Sequence, residues 1–113
     1  MGGSGGNGGP PEQPPPRPDF PDCESIRFET VLVSPQRGII DRLHVGDVLR
    51  LQLGTQQNRP VVDVVTNAGS RAGSITSTHL TKLIECLQHG HNYLAEIRDL
   101  DGGACRVLVH HAN

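Results

Sequence analysis

The chain has 113 residues, a formal net charge of −2, and charged and hydrophobic fractions of 19% and 35%, which is room for one domain. Two Phe, one Tyr and no Trp exclude a platform on which several bases of a single strand stack. The near-neutral balance of the part after residue 25, nine Arg and Lys against eight Asp and Glu, excludes a long basic groove for duplex DNA.

Residues 1–25 are predicted to be a disordered tail. Six of the first nine residues are glycine and the next twelve are proline-rich, a composition that buries too little apolar surface to offset chain entropy. Residues 15–18 read Pro-Pro-Arg-Pro, the chemistry of a ligand for a proline-binding groove, although a plain linker accounts for them as well. The tail has no apolar core of a signal peptide, and no later stretch is long and apolar enough to span a bilayer. Cys23, Cys86 and Cys105 are odd in number and unrelated in spacing. They argue against a disulfide framework and point to a reducing compartment, so the expected location is cytoplasmic with no membrane partner.

From residue 26 to 113 the sequence predicts a single β-rich domain. Residues 26–33 form a first strand with Ile26, Phe28 and Leu32 on one face. Residues 34–38 read as a turn containing Arg37, and 39–43 as a short strand continuation. Residues 48–53 alternate cleanly, giving a second strand, and 54–60 form a polar loop. Residues 61–66 are the most β-prone run, interrupted only by Asp63. Asn67 to Ser70 carry hairpin-turn chemistry, because Asn and Gly tolerate positive φ, and 71–75 return antiparallel. Leu80, Leu83, Ile84 and Leu87 make one helical stripe, with Ser77 or Thr78 as cap and Gly90 as the C-terminal stop. Residues 93–97 and 105–109 are two more strands around a turn at Asp101-Gly102-Gly103. The expected fold is mostly β (α+β), a small, partly open six-stranded barrel of the OB or SH3-like kind with one amphipathic helix.

No catalytic constellation is legible. The histidines lack the spacing of a zinc site, so no metal and no cofactor is expected; His89 and His91 flank a helix end whose dipole they complement. Cys86 and Cys105 read as packed, inert thiols, and Asp99 and Asp101 as turn formers. The segment from Gly69 to Gly73 lacks the Lys and the placement of a phosphate loop. One group stands apart. Arg59, Arg71, His79 and Lys82 come from segments that would meet near a helix N-terminus, which offers free N–H groups to an anion. Arg71 and Lys82 are otherwise solvated charges whose reversal leaves the fold intact.

The order of Asp47 to Leu53, Val61 to Val65, Asn67 to Ile75 with its Gly69 and Gly73, the Leu80 to Leu87 helix closed by Gly90, and Tyr93 to Ile97 resembles the HIRAN domain. That resemblance implies an OB-like barrel that binds the free 3′ end of single-stranded DNA without being an enzyme. The family occurs fused to helicases and nucleases or as small stand-alone bacterial proteins. The expected partner is therefore a nucleic-acid end or a larger DNA-processing protein. The family's Tyr-Asp-x-Asn-Ala motif is absent, and the corresponding stretch reads Gln56-Gln57-Asn58-Arg59-Pro60, leaving Asn58 and Arg59 as the nearest polar candidates. With Arg37, Arg71, His79 and Lys82 they make up the expected binding set. The alternative is a protein–protein adaptor that has kept the barrel and lost DNA binding.

Overall fold

The computed structural model describes residues 23–112, and the predicted disorder of residues 1–22 lies outside them. After a 3-10 turn (Cys23–Ser25) come β1 (Arg27–Val31), a short helix α1 (Arg37–Ile40), β2 (Val48–Gln56), β3 (Arg59–Val65), β4 (Arg71–Ile75), helix α2 (Leu80–Gln88), β5 (Tyr93–Asp101) and β6 (Ala104–His111). The six strands form one antiparallel sheet in the order β1-β6-β5-β2-β3-β4. The mostly β, partly open barrel is what the alternation predicts.

Strand alternation sets the core. Leu49 and Leu51 of β2 are buried between exposed Val48, Arg50 and Gln52. Their register partners Ala95 and Val64 are buried too, because residues opposite one another share a face. Val62, Tyr93, Ile97, Val107 and Val109 complete this inner layer.

The sheet curls until its edges meet. Val33, just past β1, and Ser74 of β4 exchange N–H···O bonds at 2.9 Å in both directions, and the Gln36 N–H donates to the Ala72 carbonyl at 2.8 Å. Gly73 makes this approach possible. A Cβ at that position would lie 3.0 Å from Leu32 Cβ and 3.2 Å from the Val33 carbonyl oxygen.

α2 closes one end of the barrel. Leu83 and Cys86 are fully buried, while Leu80, Ile84 and Leu87 pack half-buried against the core. The helix stops at Gly90 (φ +94°). There the N–H of His91 donates to the Cys86 carbonyl and that of Gly90 to the Leu87 carbonyl, the paired bonds of a left-handed glycine stop. At the start, Ser77 does not cap the helix itself. Its hydroxyl oxygen accepts the His79 N–H at 3.0 Å, in the turn before the helix, and the cap position belongs to His79.

Three expectations are corrected. Residues 39–43 do not continue a strand. Arg37–Ile40 is helical, and this directs Ile40 and Leu43, three residues apart, against the core. The polar stretch 54–60 is not a loop, since β2 and β3 pair as far as Gln56↔Arg59. The connection is two residues, Gln57 (φ 53°) and Asn58 (φ 64°), the two positive φ values that match the twist of a tight hairpin. Its polarity reflects a hairpin tip standing in water.

Third, Cys23 and Cys86 form a disulfide across 63 residues of sequence. Cys23 is fully buried although composition places it in the tail. Spacing along the chain says nothing about which cysteines a fold brings together. A loop of this length, closed covalently, stabilises by on the order of 4 kcal/mol through chain entropy. Disulfides persist in oxidising surroundings, so the argument for a reducing compartment loses its basis. Among the described residues no helix is long and apolar enough to cross a membrane.

Candidate nucleic-acid interface

The six residues expected to bind fall in separate places. Asn58 is at the tip of the β2–β3 hairpin and Arg59 opens β3 beside it, both exposed. Arg37 is exposed at the start of α1, one residue past the Gln36 that bonds to β4.

Arg71 is committed inside the protein. Its Nε donates to Asp63 Oδ1 at 3.0 Å and its guanidinium to Ser74 Oγ at 3.0 Å, while Ser74 Oγ donates to the same carboxylate oxygen at 2.8 Å. This explains an Asp within the most apolar strand: Asp63 and Ser74 are paired across β3 and β4, and Arg71 neutralises the charge. It also corrects the view of Arg71 as a solvated cation, because its side chain is only 32% exposed. The carboxylate lies over the neighbouring strand, where a Cβ on Gly54 would come within 2.9 Å of Oδ2. A cavity of about 240 Å³ beside this group is lined by Thr55, Gln56, Val61, Asp63 and Arg71. Its acid and base offset one another, which leaves little field for a phosphate.

His79 and Lys82 do come together. They line a cavity of about 210 Å³ with Ser25, Ile26 and Arg27. The α2 start supplies His79 and Lys82, while the first residue of β1 supplies Arg27. The His79 ring stacks on Phe28, with centroids 4.6 Å apart and planes inclined by 21°. Two strong cations, an imidazole and a helix N-terminus therefore border one cavity, with an aromatic ring behind the imidazole. Sequence reasoning missed Arg27 and Phe28. An Arg at a strand start carries no local signal, and its proximity to the helix arises only from the barrel.

Arg98 reaches Glu29 at 3.8 Å and Glu96 at 3.7 Å. A further cavity of about 350 Å³ is lined by Leu43, Asp47, Val48, Leu49, Thr66 and Asn67, which contribute an acid and no base.

His91 Nδ1 and His111 Nε2 are 3.0 Å apart, so one imidazole N–H donates to the other ring, and His111 meets the Tyr93 ring edge-on. His89 donates from Nδ1 to the Glu85 carbonyl at 2.8 Å, the helix-end role its position suggests. Among the described residues no group of three or more His, Cys, Asp or Glu side chains is arranged around a metal position. The Cys105 thiol is buried, and burial pushes its pKa up, so it is held as the unreactive neutral form. Asp101 flanks the Gly102-Gly103 turn, whose φ values of 60° and 91° favour glycine.

Comparison with protein-family models, with curated proteins and with solved structures gives no match to this chain.

Proposed function

We propose that this domain is a non-enzymatic binding module that seats the end of a single nucleic-acid strand, in the manner that its resemblance to HIRAN domains implies. The observation that carries the reading is the meeting of Arg27, His79 and Lys82 around one cavity at the start of α2. Charge-assisted bonds from Arg and Lys to a phosphate are the strong class of hydrogen bond, and the first-turn N–H groups of a helix add to them. The His79–Phe28 stack gives the terminal base a flat neighbour. A short contact of this kind suits a domain with little excess positive charge, since it neutralises one or two phosphates and not a long backbone.

Fluorescence anisotropy tests the reading, using single-stranded DNA with a free or a phosphate-blocked 3′ end at low and moderate salt. Binding that depends on the end, and that Arg27→Glu or Lys82→Glu abolishes, is the expected result. Binding that ignores the end and collapses with salt is charge attraction alone.

A second reading, an adaptor for a larger helicase- or nuclease-type protein, is favoured by one observation. Val31 and Val33 are 39% and 38% exposed at and just past the end of β1, where exposed apolar side chains offer a surface for another chain. Under that reading, Val31→Asp with Val33→Asp abolishes co-purification of the partner while DNA binding is absent from the start.

A further inference from the structure

The two walls of the Arg27/His79/Lys82 cavity come from parts of the chain joined by the disulfide. Cys23 lies two and three residues before Ser25 and Ile26, which line one wall. Cys86 lies one helical turn beyond Lys82, which lines the other. α2 packs on β2 and β3 and on the 3-10 turn that holds Cys23. It reaches β1 through the Phe28–His79 stack. The wall from Arg27 onward is secured by pairing with β6, starting at Arg27↔His110. The 3-10 turn before it lies outside the strand ladder and packs on β6 and α2, and Cys23 is tied there by the bond to Cys86 and by the Tyr93 hydroxyl, which donates to its carbonyl at 2.6 Å.

We propose that the Cys23–Cys86 disulfide is a redox clamp on this cavity. Oxidised, it presses Ser25 and Ile26 against the helix bearing His79 and Lys82; reduced, that wall loosens and the strand end is released. The inference rests on the reading of the cavity as the strand-end site. The reductant is a dithiol. One of its thiolates attacks a cysteine sulfur, breaking the Cys23–Cys86 bond and forming a mixed disulfide, and the departing cysteine thiolate takes up a proton. The second thiolate of the reductant then closes on the first sulfur, releasing the other cysteine, which is also protonated. Two electrons pass to the protein sulfurs and the dithiol leaves as a cyclic disulfide. Both cysteines are fully buried, so attack follows local opening of the 3-10 turn, and the clamp responds slowly.

The test uses the full chain, oxidised and after treatment with dithiothreitol, beside the Cys23→Ser/Cys86→Ser variant. A Cys23→Ala/Cys86→Val variant, which keeps the site apolar, serves if the serine pair does not fold. Circular dichroism selects a temperature at which all forms are folded. Hydrogen exchange of residues 23–26 is read together with anisotropy of a 5′-labelled single-stranded DNA with a free 3′ end. Opening the clamp is expected to speed exchange of residues 23–26 while the sheet stays protected. It is also expected to weaken binding roughly 5- to 150-fold, the range typical of coupled sites, with recovery on reoxidation. A brace that merely stabilises the fold would not alter the affinity of folded protein. Unchanged exchange on reduction, or equal affinity in the two redox states, overturns the clamp. Absence of binding in the oxidised chain overturns instead the strand-end reading on which it rests.

Discussion

Tyr93 donates its buried hydroxyl to the carbonyl of Cys23, 70 residues earlier in the chain, at 2.6 Å. The single tyrosine of the sequence thus anchors the N-terminal turn from below, while the disulfide holds it from the side. Removing the hydroxyl leaves a buried carbonyl without this donor, so Tyr93→Phe should cost about 1–3 kcal/mol, read from the urea midpoint. Burial also pushes the Tyr93 pKa from 10.0 to about 12. The folded chain therefore keeps this proton longer than the unfolded chain. The stabilising contribution is whole below pH 10 and is lost as pH rises from there toward 12. With one tyrosine present, ultraviolet absorbance of the phenolate follows the titration directly, and ionisation at the usual pH would contradict the burial.

Arg71 is expected to be structural. Arg71→Glu places a second carboxylate against Asp63 and strips Ser74 of a donor, and should destabilise by about 1–3 kcal/mol, whereas Lys82→Glu should cost much less. Swapping the pair, Arg71→Asp with Asp63→Arg, should recover part of the loss. An unchanged denaturation midpoint for Arg71→Glu would return Arg71 to the solvated cations.

Gly73→Ala should destabilise by about 1–3 kcal/mol through overpacking. Its Cβ meets the Leu32 side chain and the Val33 carbonyl at the one place where the sheet edges touch. Gly38→Ala is the control. Nothing lies within 4 Å of a Cβ there, so a gain of about 0.4–1 kcal/mol is expected from the stiffer unfolded chain. Equal effects at the two positions in thermal melts would mean that the edges do not close as described.

Asn58→Gly should stabilise the hairpin by up to about 1 kcal/mol, because a left-handed φ is strained for a side chain and free for glycine. The same variant probes function. If the strand end binds at the α2 cavity, anisotropy should show little change in affinity. A large loss would move the contact to the hairpin tip.

Much of this protein is written locally. Leu49, Leu51, Tyr93, Ala95 and Ile97 alternate, and alternation with one buried face fixes both the strand and its register. Gly90 stops α2 because positive φ there is a property of the residue itself. The hairpin at Gln57-Asn58 escaped notice because it uses left-handed residues without glycine. Arg37–Ile40 escaped because a run of apolar residues fits a strand or a helical turn equally well.

Pairings between distant segments were decided by the tertiary structure alone. The sequence determined that six strands and one amphipathic helix would share a Val/Leu/Ile core, since periodicity acts within a few residues. It did not determine that Cys23 would reach Cys86, that Asp63 would be answered by Arg71 and Ser74, or that Arg27 would line one cavity with His79 and Lys82. Those contacts exist because the sheet curls and α2 seats on its open end, and the free energy that drives the curling is apolar burial. That force is indifferent to which polar side chains it carries into contact.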